Sequence, residues 1–261
     1  HFDGICRKRL SERQHIGTAT VERWFHDYLE RQASEMSAEP CPRELGIDEH
    51  FFSKKRGFAT TFCDLKNHKV YDVVLGRSEA ALEGYFRRLK GKEDVRLVCI
   101  DLSSGYRALV KKHFPNAKIV ADRFHVIRLV NQHFLASWRQ LDAIGSKNRG
   151  LLSLMRRHEA NLNPDQKERL RSYLVEHPAL EAIYDFKQRL CQLLGNKRRT
   201  VKQCRRLIKI LLSYIHQLKH CGIEPLEVLG RTLGSWDGEI AAMWRFTKNN
   251  GITEGFHNKM E

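Results

Sequence analysis

Between Glu44 and Asp122 the chain changes the kind of β-strand it can make, and that change restricts its fold more than any other feature. "LGIDEHFF", "GFATTFCDL" and "KVYDVVLG" are short, rich in β-branched and aromatic residues, and separated by the turn-like "KKRG" and "KNHK". They read as a three-strand antiparallel meander. "VRLVCIDL" and "AKIVAD" are instead continuous apolar runs, the pattern of parallel strands buried on both faces. Helical segments separate and follow them. In "SEAALEGYFRRLKG", Ser78 can cap and Leu82, Tyr85, Phe86 and Leu89 share one side. "YRALVKKHF" and "FHVIRLVNQHFLASWRQL" are the next two. The order β-β-β-α-β-α-β-α predicts an α/β fold built on a mixed five-stranded sheet.

The flanks are helical. In "TATVERWFHDYLERQ", Val21, Trp24, Phe25, Tyr28 and Leu29 fall on one face. Gly17 and a capping Thr18 or Thr20 precede it, and an upstream helix would contain Ile5 and Leu10. Residues 1–36 are therefore expected to be a partial helix-turn-helix-like DNA-binding segment, the alternative being a plain helical hairpin. Residues 37–43, with two prolines, read as a linker. From 145 to 234 no strand pattern recurs, and Pro164 and Pro178 stand where helix starts tolerate proline. In "RRTVKQCRRLIKILLSYIHQLKH", Val201, Cys204, Leu207, Ile208, Leu211, Leu212 and Ile215 form an apolar stripe flanked by Lys202, Arg205, Arg206 and Lys209.

Charge points to the partner. Lys and Arg number 46 against 31 Asp and Glu, a formal net charge of +15. Residues 145–234 hold 18 basic and 8 acidic residues, so +10 of it lies there. A polyanion is the expected ligand. An anionic membrane surface fits less well, because no terminal polybasic tail adjoins a lipidation motif. No stretch approaches the roughly 20 apolar residues of a membrane span. Seven widely spaced cysteines with no C-x-x-C pair read as reduced thiols, which suggests a cytoplasmic protein. The chain lacks an initiator Met and closes at Glu261 inside an apparent helix, as a fragment of a longer protein would.

Three acidic motifs carry the chemistry: "GIDEH" with Asp48, "CIDLSSGY" with Asp101 and "TEGFHNK" with Glu254. Asp48 lies on the first strand and Asp101 ends the fourth, so the two meet if those strands pair. The strand order is that of ribonuclease H-like folds. Carboxylates gathered from scattered elements repel unless a divalent cation offsets them. Paired carboxylates suit two metal ions roughly 3.5–4 Å apart in an in-line phosphoryl displacement. Mg²⁺ fits such oxygen ligands.

At these residues the sequence resembles the ISL3 family of bacterial insertion-sequence transposases, which use a DDE triad. The resemblance covers most of residues 44–140, including "ADRFH", and the last dozen or so. It implies that Asp48, Asp101 and Glu254 are the triad and bind two Mg²⁺ ions, with Mn²⁺ substituting. It implies a ribonuclease H-like core (44–144), interrupted by a basic all-α insertion (145–234) and completed by residues 235–261. The expected activity is cleavage of double-stranded DNA at terminal inverted repeats and transfer to target DNA. A homodimer in the synaptic complex, in the bacterial cytoplasm at the nucleoid, is expected with it. Two other readings stay open: a catalytically silent DNA-binding derivative, and a ribonuclease H-like nuclease without strand transfer.

Neighbouring residues carry alternatives. Asp122 is expected to cap a helix. His125 either bonds locally or meets the scissile phosphate. Glu49 should point to the opposite face from Asp48. Asp64, Asp72 and Asp94 read as turn and surface residues. Trp244 is expected in the core, while Trp236 is either core or a base-stacking group. Lys197, Arg198, Arg199, Lys202, Arg205 and Arg206 are candidate phosphate contacts, as are Asn258 and Lys259 beside Glu254.

Overall fold

The computed structural model describes residues 7–53 and 57–246. Two helices open it, α1 (Arg7–Gln14) and α2 (Thr18–Ala38). His15 turns the chain between them with φ 52°, and Ser11 Oγ donates to Ile16 O at 2.5 Å. Val21 is buried, but Trp24 is 55% exposed and Tyr28 37%, so the apolar face read from the sequence is only partly covered here. α2 runs to Ala38, into the stretch read as linker, because the first proline after it is Pro40. Ile5 lies outside the described residues.

The sheet is mixed and five-stranded, in the order β3-β2-β1-β4-β5. β1 (Glu44–Ser53), β2 (Gly57–Asp64) and β3 (Lys69–Leu75) form the antiparallel meander. Asp64 makes its second turn by accepting from the Lys66 and Asn67 amides. β4 (Leu97–Ile100) pairs parallel with β1, and β5 (Lys118–Ala121) parallel with β4. All four β4 residues are buried, as its apolar run requires.

Helices α3 (Glu79–Arg88) and α4 (Ser104–His113) cover one face, capped by Ser78 and Ser103. Phe62 of β2 packs on Tyr85 and Phe86, and Thr60 shares a hydrogen bond of 3.0 Å with the Tyr106 hydroxyl. Thr60 and Phe62 therefore face this layer, and Thr61 between them faces the other way. Asp48 stands directly across from Thr61, and Glu49 across from Thr60. The register thus sends Asp48 away from α3 and α4, toward α5 (Arg123–Leu141).

After β5 the described residues are helical, with short connections. They form α6 (Arg149–Arg156), α7 (Pro164–Val175), α8 (Pro178–Leu194), α9 (Val201–Lys219), α10 (Glu224–Ser235) and α11 (Asp237–Phe246). Asn163 with Gln166 and Thr200 with Gln203 close capping boxes at α7 and α9. On α9, Cys204, Leu211 and Ile215 are buried, while Val201 and Leu212 of the predicted stripe are exposed. α9, α10 and α11 pack into the core that contains the sheet. A second core joins Phe134 and Trp138 of α5 to α6, α7 and the first half of α8. α5 and α8 each enter both cores, so neither core is built from one continuous segment.

Between α3 and α4, Glu83 accepts from Lys112 at 3.0 Å and from Arg87 at 3.1 Å, with His113 at 3.1 Å. These donors, Lys112 first, hold the Glu83 carboxyl down at about 2. Solvent-screened pairs of this kind contribute little, whereas truncating a core Phe costs about 3–5 kcal/mol. Apolar packing by Phe86 and Phe114 therefore dominates this layer and the charges trim it. A depressed carboxyl stabilises the fold above its ordinary titration near 4.5 and ceases to as pH falls through about 2. Glu83→Gln should melt slightly below the parent at pH 7, with the difference closing between pH 4.5 and 2. A pH series of thermal melts checks this.

Candidate active site

β1 and β4 pair with Glu44 beside Leu97, Leu45 beside Val98 and Gly46 beside Cys99. The same offset carried two residues further brings Asp48 level with Asp101. Asp48 is buried, on the sheet face turned toward α5. Asp101 is the first residue beyond β4. Its Oδ1 is inaccessible to solvent and has no hydrogen-bond partner among the described residues. Burial, with Asp48 and Glu49 adding to it, raises the Asp101 carboxyl from 3.8 to about 6, against the opposing pull of His125 and of the Ser103 amide. Two carboxylates thus share one end of the sheet, one of them with an oxygen that no donor among the described residues reaches.

α5 supplies the third group. Asp122 caps it by accepting from the Phe124 amide at 2.8 Å, as its sequence position suggests. One turn in, His125 Nε2 lies 3.8 Å from Asp48 Oδ1. The imidazole therefore faces the acidic pair, with Phe124 packed edge-on against it. Glu49 points the other way: its carboxylate meets Arg77 at 3.2 Å, and its amide donates to Asp48 Oδ1 at 2.9 Å. Cys63 stands behind the pair, pushed up to about 12 by burial and by the Asp48 and Asp64 charges, and is an inert thiol.

A divalent cation suits this donor set. The pair offers hard oxygen ligands, one of them unsatisfied, whose mutual repulsion a cation offsets. Among the described residues no His, Cys, Asp or Glu completes a cluster of three able to hold a metal. Glu254, Asn258 and Lys259 lie outside the described residues.

The basic candidates lie elsewhere. Lys197, Arg198 and Arg199 form the exposed α8–α9 connection, and Lys202, Arg205 and Arg206 stand exposed on α9. Arg199 is also tied internally, its Nε donating to Asn196 Oδ1 at 3.0 Å. Trp244 is fully buried, and Trp236 is buried under the Arg107 guanidinium at 3.4 Å, so both are core residues. Arg123 was not singled out by the sequence motifs, yet it is buried and donates to carbonyls of Leu194, Asn196 and Met243. A signal was present: it precedes Val126, Val130 and Phe134 at helical spacing, on the buried stripe of α5.

Residues 45–261 match the family model of the ISL3-type DDE group, described as transposase. The transposase for insertion sequence element IS1001 of Bordetella parapertussis is 25% identical over 227 residues, covering 83% of this chain. The match takes in 55% of that relative, so the chain spans about half the length of the curated relative it matches.

Asp101 also yields a stability test. A carboxyl raised by its surroundings costs nothing below its unfolded value near 3.8 and its full penalty above about 6. Asp101→Asn, nearly the same shape without the charge, should stabilise the metal-free protein at pH 7.5 by about 1–3 kcal/mol. The gain should vanish by pH 3.5. Thermal melts in chelator at the two pH values check it, and a destabilised variant at pH 7.5 contradicts a net penalty for the buried Asp101 charge.

Proposed function

The chain belongs to the ISL3 family of DDE transposases, and from that premise we propose that Asp48, Asp101 and Glu254 form one centre for DNA cleavage and strand transfer. The observation that carries this is the Asp48–Asp101 pair, made level by the β1–β4 register, with Asp101 Oδ1 left without a hydrogen-bond donor among the described residues. The strand order supports a ribonuclease H-like core over 44–144 and 235–261, with the helical residues 145–234 as the insertion that separates Asp101 from Glu254.

Divalent cations, two Mg²⁺ or Mn²⁺ in this reading, when bound by Asp48, Asp101 and Glu254 would supply charge neutralisation at the attacking and leaving oxygens. The protein's own contribution is placement. Rigid strand ends hold Asp48 and Asp101 with their acceptor oxygens toward α5. His125 Nε2, beside Asp48, is placed to donate to a phosphate oxygen and so to hold negative charge that develops there. The buried Asp122 carboxylate fixes the helix turn on which that imidazole sits.

DNA lies along the helical region. Lys202, Arg205, Arg206 and Lys209 recur at three- to four-residue spacing, a continuous basic stripe down exposed α9. Between α8 and α9, Arg189, Lys197, Arg199 and Tyr214 line an open groove of about 760 Å³. Backbone phosphate contact is the chemistry such a surface offers. α1 and α2, with Asn258 and Lys259, are further contacts in this reading. The protein acts in the bacterial cytoplasm as a dimer joining two element ends. No described helix is long and apolar enough to cross a membrane.

A labelled element end incubated with target DNA and Mg²⁺ tests the function. Joined products are expected from the parent, and none from Asp101→Asn at unchanged DNA affinity. Hydrolysis without joining favours a nuclease, and binding without either favours a silent derivative. Separately, replacing Lys202, Arg205 and Arg206 by Ala should weaken binding uniformly across sequences and lower the salt slope by about one for each lost phosphate contact. An unchanged slope removes α9 from the interface.

A further inference from the structure

Phe124 is 49% exposed, in the first turn of α5. Nothing in the fold asks for an aromatic ring there. The buried stripe of α5 runs through Val126, Val130 and Phe134, and Phe124 lies on the opposite side of the helix. A first-turn position favours an acidic side chain, which the helix dipole stabilises, and Phe is only a modest helix former. A ring left in water also forgoes the gain from burying it.

Its place beside the acidic pair gives the ring a use. His125 Nε2 lies 3.8 Å from Asp48 Oδ1, and the Phe124 ring centroid is 5.4 Å from that of the imidazole, at an interplanar angle of 89°. An edge-to-face contact of this kind occupies at most one face of the Phe ring. Asp122 fixes the backbone that carries the ring, by accepting from the Phe124 amide at 2.8 Å. Arg128 follows one turn on, exposed and on the same side of the helix. An open aromatic face near a cation is the combination that holds an unpaired nucleotide, with the ring against the base and the charge on a phosphate. Trp236 and Trp244 are buried, so neither can take that part. A base is joined to its phosphate through one sugar, and a phosphate at His125 therefore brings a neighbouring base to the ring.

We propose that Phe124 is a base-stacking residue: its ring takes the nucleobase next to the phosphate that is cut, and Arg128 meets a neighbouring backbone phosphate. This rests on the reading of the Asp48–Asp101 pair as the cutting site. Inside a duplex both faces of a base are covered by its neighbours. The ligand is therefore a base freed from its stack, as at a frayed or cut end, where unstacking costs least. Holding that base sets which phosphate stands at the acidic pair.

A cycle that removes ring and base in turn tests this. Element-end DNA is prepared intact, and with an abasic residue at each nucleotide flanking the cut. The full chain and Phe124→Ala are compared on each, for cutting in Mg²⁺ and for affinity in chelator. On intact DNA Phe124→Ala should lose about tenfold in both, the scale of one base–aromatic stack. On DNA abasic at one flanking position the two proteins should behave alike. Phe124→Tyr, which keeps the ring, should recover most of the loss. Phe124→Leu, which keeps apolar bulk without the ring, should not, and it decides if Phe124→Ala fails to fold. A loss equal on intact DNA and on every abasic DNA, or no loss at all, overturns the role of Phe124. No metal-dependent cutting by the parent, or undiminished cutting by Asp101→Asn, overturns the reading of the acidic pair instead, and the affinity comparison still decides on Phe124. Arg128→Gln should lower the salt slope of binding by about one, and an unchanged slope overturns its phosphate contact.

Discussion

The parallel pairing of β1 with β4 is the constraint on which the rest depends. It sets Asp48 level with Asp101 at the end of the sheet, on the face that α5 covers. Two facing carboxylates do not stabilise a metal-free fold; Asp101 titrates above its ordinary range, from burial first and from the nearby Asp48 charge as a smaller addition. The surroundings tolerate it because they are rigid. β4 is buried along its length, and the aromatic layer of Phe62, Phe86 and Phe114 backs the sheet. Packing of this kind is worth several kcal/mol per large side chain, enough to hold a locally unfavourable pair in place. Such local conflict inside an otherwise consistent fold is where function is to be looked for.

α5 connects the sheet to everything that follows. Its first turn carries the cap Asp122, the buried donor Arg123 and the site-facing His125. Val126 and Val130 then enter the sheet core, and Phe134 and Trp138 enter the helical core. A helix buried in both cores transmits position from one to the other. The long helical stretch is therefore not an appendage loosely tied to the sheet. It returns through α9, α10 and α11 to pack against it.

Much of this was legible in the sequence, for identifiable reasons. Strand type showed in composition: β4 and β5 are unbroken apolar runs, and a parallel strand covered on both faces needs them. Asp122 was legible because a helix start needs an acceptor, and Asp64 because a tight turn does. Glu49 was legible because strand neighbours alternate. Arg123 was passed over because a motif directs attention to acids and histidine, and its role depends on carbonyls distant in sequence. Trp24 and Tyr28 read as part of one apolar helix face and are exposed here, because periodicity reports which residues share a side and not whether another element covers it. Glu254, outside the described residues, is assigned to the site through family resemblance alone, since a Glu in a first turn is equally explained by the helix dipole.

The central claim is that Asp48 and Asp101 together take up a divalent cation. Titration of the full chain with Mn²⁺, following the free ion by electron paramagnetic resonance, tests it most directly. Mn²⁺ uptake is expected in the parent and is expected to be lost in Asp48→Asn and in Asp101→Asn, with both variants folded. Uptake unchanged in either variant would contradict it.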